Sequence, residues 1–367
     1  MVVKRTFVHL VAGARPNFMK IAPLYHSLEK EPWCECAIVH TGQHYDQAMS
    51  GTFFQDLRLP RPHIDLRVGS GTHAYQTGNI MISYEKVCMD RRPDITIVVG
   101  DVNSTLACTL SAKKLLIPVV HLEAGLRSRD RTMPEEINRL VTDTLSDLLL
   151  TPSEDANENL RMEGITEERV KLVGNIMIDS FEMLRESINR ESMPDVLHIE
   201  KNRYAVLTLH RPENVDDESR LAELCRVIED ISRSTRIVFP IHPRTRSNLA
   251  KYGLLEGLNS NVVISEPIGY IKFMNLVQNS RFVITDSGGI QEETTYLNIP
   301  CLTLRKNTER PVTIEQGTNR LVDPGNIMNY VDEILSGRFP SGKQPKLWDG
   351  RTAGRVVNSL KEFLASI

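Results

Sequence analysis

The sequence predicts an α/β protein built as two doubly wound domains, each a parallel sheet with helices on both faces and with a cleft between the two. Three observations predict it. Short apolar runs alternate with helix-like segments along the whole chain, as strands do when both faces of a parallel sheet are covered. The series of apolar runs breaks at a charged, Pro-containing passage near "ESMPDVLHIEKN" and then restarts. The chain's 367 residues also exceed what one hydrophobic core usually serves.

In the first half the strands are "TFVHLVA", "CAIVH", "DITIVVG", "PVVHLEA", "DLLLT" and "VKLVG", with helix-like segments such as "YQTGNIMISYEKVCMD" and "NSTLACTLSAKKL" between them. The second series runs "YAVLTLH", "RIVFPIH", "NVVISE", "RFVITDS" and "PCLTLR". We draw the first domain as residues 1–178 and the second as 179–350. The final segment, 351–367, has apolar residues at helical spacing after a loop rich in Gly, Pro and Lys, and is expected to pack back on the first domain.

Composition excludes several classes. Lys and Arg number 44 against 47 Asp and Glu, so no general electrostatic grip on nucleic acid or an anionic membrane is expected. No apolar run approaches the roughly 20 residues of a spanning helix, and the N-terminus passes from "KR" directly into a strand, which predicts a cytoplasmic protein. Cysteines 34, 36, 88, 108, 225 and 301 are too scattered for a disulfide framework, and neither they nor the histidines show zinc spacing.

Ligands of open parallel sheets bind beyond the carboxyl ends of the strands. The first strand opens into "GARPNFMK", which brings Arg15 and Lys20 to the first turn. A guanidinium and an ammonium in place of G-x-G-x-x-G suit an anionic ligand and disfavour a nicotinamide cofactor. "ITIVVGD" ends in Asp101 and "PVVHLEAG" carries Glu123, so two strands each bring a carboxylate to one rim. In "RTMPEEINR", Pro134 suits the first turn of a helix carrying Glu135 and Glu136, although acidic side chains there also complement the helix dipole. Asn103 and Ser104 are expected to cap the next helix, leaving Asp101 to face the cleft. Three carboxylates on one rim suit proton transfer or stabilisation of a cationic transition state. They would also suit a hard cation, but without a D-x-D cluster or EF-hand-type loop no metal is expected.

The second half carries the opposite polarity. "YAVLTLHRPEN" ends its strand at His210 beside Arg211, and "RIVFPIHPRTR" ends at His242 followed by Arg244 and Arg246. "VITDSGGIQEE" reads as a strand, a Ser287-Gly288-Gly289 turn and a helix, whose first-turn amides and dipole attract an anion. "LRKNTERP" adds Arg305, Lys306 and Arg310, the last suited to a bidentate phosphate pair. Acids in one domain and an anion cradle in the other fit a nucleotide sugar, with a glutamate on the turn after the glycines accepting from the ribose diol.

The motifs "GARPNFMK", "TGQH", "VVGDVNSTLA", "HLEAGLRS", "MPEEINR", "TLHRPEN", "PIHPRTR", "TDSGGIQEE" and "NTERP", in this order, resemble the non-hydrolysing UDP-N-acetylglucosamine 2-epimerases over nearly the whole chain. The resemblance implies two Rossmann-like domains similar to the GT-B glycosyltransferases, an interdomain active site, a homodimer, a UDP-sugar substrate and no redox cofactor. It implies loss of UDP from C1 and of the proton from C2, then re-addition after protonation on the opposite face. Asp101, Glu123 and Glu135 fall on the family's catalytic carboxylates and His210 on its cleft histidine. Arg15 and Lys20 fall on the ligand-contacting turn, Ser287, Gly288 and Gly289 on the diphosphate turn, Glu293 on the ribose glutamate, Arg310 on a UDP contact, and Phe273 near uracil. His242 joins the electropositive half-site.

Three features depart from the family pattern or widen it. Asp46 follows Gln43 where members regulated by substrate carry a glutamine, and Ile268 replaces a glutamine near uracil. The "GSGTH" segment also occurs in 2-epimerases of UDP-diacetamido-glucuronates, while the intact "NTERP" favours the simpler sugar. That second epimerase, a GT-B glycosyltransferase and an inactive sugar-nucleotide sensor are the alternatives.

Overall fold

The computed structural model describes residues 5–42 and 51–366, so Gln43, His44 and Asp46 lie outside the described residues. Two compact units make up the chain, one from residues 1–183 and 346–367, the other from residues 184–345.

The first unit holds strands β1 (Thr6–Ala12), β2 (Cys34–His40), β3 (Ile64–Asp65), β4 (Ile95–Val99), β5 (Val119–Leu122), β6 (Leu148–Thr151) and β7 (Val170–Leu172). All pair in parallel, in the order β3-β2-β1-β4-β5-β6-β7. The chain winds outward from β1 to one edge, then returns to β4 and winds to the other, so β1 and β4 flank the switch point where α/β sheets bind ligands. The central strands are apolar at nearly every position because helices cover both faces: every residue of β4 and β5 is buried. Each fully buried aliphatic side chain there stabilises the fold by about 1.5–3 kcal/mol.

The second unit repeats the plan with β8 (Tyr204–Thr208), β9 (Arg236–Pro240), β10 (Val262–Ser265), β11 (Phe282–Thr285), β12 (Cys301–Thr303) and β13 (Asn319–Leu321). Its order is β10-β9-β8-β11-β12-β13, again parallel, with the switch point between β8 and β11. Leu207, Ile237, Phe282 and Ile284 of the sheet pack with Leu224 and Ile228 of the helix Glu218–Ser232 and Val331 of the helix Ile327–Leu335.

Two strands were not expected, β3 and β13. Both are short and lie on a sheet edge, where a partner on one side is enough to define a strand. A second difference concerns Asn103 and Ser104. They do not cap the helix Asn103–Lys114; they lie inside its first turn, and Val102 holds the cap position. Their side chains are drawn to neighbours instead, Asn103 Nδ2 donating to Gln76 Oε1 at 2.9 Å and Ser104 Oγ lying 2.7 Å from Thr41 Oγ1.

Residues 346–367 complete the first unit. The Trp348 indole is buried and donates to the carbonyl of Pro152 at 3.0 Å. Asp179 caps the helix Thr352–Ser366 by accepting from the amides of Thr352 and Ala353 at 3.0 and 2.8 Å. That helix buries Val356, Val357 and Leu360 and lies against the helix Arg15–Leu28. All six cysteines are free thiols. Among the described residues, no helix is long and apolar enough to cross a membrane.

Candidate active site

Register places the first pair of carboxylates. Val99 of β4 pairs with Leu122 of β5, so Gly100-Asp101 and Glu123 leave the sheet side by side at the switch-point end. Gly100 has φ +67, and a Cβ there would meet Lys20 Nζ at 3.2 Å and Glu123 Oε2 at 3.4 Å, so glycine leaves room for both groups. Glu123 itself has φ +73, unusual for a residue with a side chain. Such a conformation costs on the order of 1–3 kcal/mol and tends to be held at functional positions.

The side chains expected at the first turn separate into two kinds. Arg15 is exposed at the start of its helix. Lys20 is buried, and its ammonium pairs with Glu123 Oε2. The turn's own amides are occupied, since Asn17 Oδ1 accepts from Gly13 and Ala14 at 3.2 and 2.9 Å. This turn therefore presents a guanidinium rather than a bare amide cradle.

Pro134 opens the helix Pro134–Leu145, and the two glutamates after it differ sharply. Glu136 is buried and accepts from the Ser128 amide and hydroxyl, the Arg129 amide and the Arg139 guanidinium. Burial alone would push its carboxyl up, but these donors hold it below the usual range. Glu135 is half-buried and engages none of them. Arg139, unremarked in the sequence, reaches from Glu136 to Asp101 Oδ2 at 2.8 Å, while Asn138 donates to the Asp101 carbonyl at 2.8 Å. The helix carrying Glu135 is thereby fastened to the loop carrying Asp101.

In the second unit Thr208 of β8 pairs with Thr285 of β11, setting His210 beside Asp286. Asp286 is fully buried; one oxygen lies 2.9 Å from His210 Nδ1, and the carboxylate also accepts from the amides of His210 and Arg211. Burial raises its carboxyl, yet His210 and these amides bring it below the ordinary value. His242 is exposed, with its ring 5.7 Å from that of His210, and partial burial and His210 hold it below the usual imidazole range. The expected arginine contribution to this half-site is diminished. Arg244 pairs with Asp216 through both oxygens, and Arg246 with Glu266 at 2.8 Å.

Ser287 holds the cap position of the helix Gly288–Leu297, with Gly288 and Gly289 in its first turn. A Cβ on Gly288 would meet Glu309 Oε1 at 2.8 Å and Arg310 Nη1 at 2.9 Å, whereas Gly289 faces open space. Arg310 lies between two acids, 2.8 Å from Glu292 Oε1 and paired with Glu309 Oε1. Glu309 also binds Arg305 at 2.8 Å, and despite burial the two arginines hold its carboxyl far below the usual range. Glu292 thus aims Arg310, while Glu293 points elsewhere and accepts from the Tyr270 hydroxyl at 2.7 Å. Burial pushes Glu293 up to about 7, with Glu292 adding to the effect and Tyr270 opposing it. Phe273, partly exposed, follows Tyr270 by one helical turn on Tyr270–Gln278, so both lie on one face. Asp286, Glu309 and Tyr270 were not singled out from sequence. Asp286 stands next to the Ser-Gly-Gly turn and Glu309 inside "NTERP", so position within a motif was the available signal.

Comparison with known proteins fits this arrangement. The family model for UDP-N-acetylglucosamine 2-epimerase matches residues 26–361. The UDP-N-acetylglucosamine 2-epimerase of Methanocaldococcus jannaschii is 42% identical over 359 residues, covering 96% of this chain and 98% of the relative. The UDP-2,3-diacetamido-2,3-dideoxy-D-glucuronate 2-epimerase of Pseudomonas aeruginosa is 36% identical, covering 97% of this chain and 99% of the relative. The crystal structure of the M. jannaschii UDP-GlcNAc 2-epimerase in complex with UDP-GlcNAc and UDP matches with a TM-score of 0.88 at 40% identity, covering 97% of this chain and 100% of that one. With nearly the whole chain inside one family model and such relatives aligned end to end, this protein belongs to the UDP-N-acetylglucosamine 2-epimerase family.

Proposed function

We propose that this protein interconverts UDP-N-acetylglucosamine and UDP-N-acetylmannosamine by inversion at C2. UDP departs with the C1–O electron pair, the C2–H pair becomes the C1–C2 double bond of a bound glycal, and a carboxylate takes the proton. Protonation from the other face and return of UDP to C1 complete the inversion. The C2 proton has no neighbouring carbonyl, so C1–O cleavage runs ahead and its cationic carbon acidifies C2.

The observation that carries this reading is the pairing of strand ends that delivers Asp101 and Glu123 side by side, in a family whose members include 2-epimerases of UDP-sugars. Asp101, Glu123 and Glu135 stabilise the cationic carbon and exchange the proton, with Lys20 and Arg139 holding the first two. At the other end of the ligand, the first-turn amides of Gly288 and Gly289, next to Ser287, take phosphate oxygens with Arg310. Glu293 serves the ribose and Phe273 the uracil. His210, backed by Asp286 and with His242 beside it, protonates or hydrogen-bonds the leaving diphosphate, and Arg15 contacts the same anionic ligand. The same reading includes a homodimer, checked by sedimentation, and a cytoplasmic location.

Proton NMR of the purified protein with UDP-N-acetylglucosamine in deuterated water tests it. The manno isomer should appear, with deuterium at C2 of both sugars. An unlabelled product counts against proton abstraction at C2, and faster turnover of a UDP-diacetamido-glucuronate moves the assignment to that sugar.

A further inference from the structure

Inside the first unit lies an ionic cluster that the scheme above does not use. His121 is wholly buried on β5, two residues before Glu123. Its Nε2 is 2.8 Å from the carbonyl oxygen of Gly100, the residue before Asp101. A carbonyl only accepts, so Nε2 carries a hydrogen. Its Nδ1 is 2.6 Å from Asp143 Oδ1. Asp143 Oδ2 accepts from the Gly125 amide at 3.1 Å and pairs with Arg127 Nη1 at 2.7 Å. With the Arg127 guanidinium and the Gly125 amide both on Oδ2, Asp143 is placed as a carboxylate whose Oδ1 accepts from His121. Both ring nitrogens of His121 thus lie within hydrogen-bonding distance of oxygen acceptors. Arg127 in turn grips Glu163 at 2.6 and 2.7 Å. Glu163 is exposed, so His121, Asp143 and Arg127 form the buried inner end of this chain of bonds.

The placement of these bonds matters more than their number. Through His121, Asp143 fixes the peptide that leads into Asp101; directly, it fixes the turn that follows Glu123. Neither catalytic carboxylate is touched, yet both loops end on the same buried side chain. We infer that His121 and Asp143 form a charged clamp that sets the spacing of Asp101 and Glu123, as positioning residues for the epimerisation. The inference rests on the proposed function only for what those two carboxylates do.

Two measurements test the clamp. In the full chain labelled with 15N-histidine, with His121→Gln assigning the signal, both ring nitrogens of His121 should show bonded protons at neutral pH. A ring with one bare nitrogen overturns the charged clamp, and this reading needs no variant to be active. For catalysis, His121→Gln and Asp143→Asn should each lower kcat by about 10²-fold while leaving KM within about threefold. UDP affinity by calorimetry, carried by the other unit, should match wild type. A folded variant with wild-type kcat, or one altered only in KM, overturns the positioning role. If both variants unfold, the NMR result decides. Wild-type protein that fails to epimerise sinks the functional reading while the ring spectrum still stands. Active wild type with inactive Asp101→Asn and fully active His121→Gln sinks the clamp alone.

Discussion

Lys20 and Glu123, 103 residues apart in the chain, form one ion pair inside the first unit, with side chains 10% and 5% exposed. An ammonium expected to meet the ligand thus also holds a carboxylate expected to do chemistry. Removing one member of such a pair leaves the other buried and uncompensated, at a cost of roughly 3–5 kcal/mol, whereas removing both costs far less. Urea unfolding of Lys20→Met and Glu123→Gln should each show that loss, and the double variant should recover much of it. Simple addition of the two losses would mean the groups do not interact. All three variants should lack epimerase activity.

Glu135 and Glu136 should part company on mutation. Glu136→Gln disrupts the charged hydrogen bonds to Ser128, Arg129 and Arg139 and should destabilise by roughly 1.5–3 kcal/mol. Glu135→Gln should leave the melting temperature within about 2 °C, since surface changes away from such networks are small, and should still suppress turnover. Paired melting curves and initial rates distinguish them; the reverse pattern would exchange their roles.

Glu293 should make stability fall as pH rises. Its carboxyl is pushed up to about 7, against a usual 4.5. Between those values the folded chain keeps a proton that the unfolded chain has lost, so unfolding free energy decreases across that window and levels off above pH 7. Melting temperatures from pH 4.5 to 8 should show this fall in wild type and a smaller one in Glu293→Gln. Identical profiles would argue against a proton on Glu293.

Gly288→Ala should weaken UDP binding. The added methyl would lie 2.8 Å from Glu309 and 2.9 Å from Arg310, inside any normal contact, so the acid-held guanidinium must shift. Loss of a charge-assisted contact of about 1.5–3 kcal/mol corresponds to roughly 10- to 150-fold in Kd by calorimetry. Gly289→Ala, facing open space, serves as the comparison and should bind more nearly as wild type does.

Much of the fold was legible because parallel strands buried on two faces announce themselves as unbroken apolar runs. "TFVHLVA" matches β1 residue for residue. "ID" and "NRL" carry no such run, and only the neighbouring strand makes them β3 and β13. The position of the candidate residues at strand ends was legible for the same reason: the strand points, and the next residue arrives. What could not be read was partnership. No local pattern says that Lys20 meets Glu123, that His121 bridges Asp143 and the Gly100 carbonyl, or which of two adjacent glutamates turns inward. Those choices are made by register and helix phase, which bring together residues far apart in sequence.

The first unit joins residues 1–183 to residues 346–367 across the whole second unit, so it is completed late in synthesis. Its seven strands emerge early, yet the Trp348 plug over Pro152 and the helix that Asp179 caps arrive only with the last segment. The helix Thr352–Ser366 can cover the helix Arg15–Leu28 only after it has been made, by which point all six strands of the second sheet have already been synthesised.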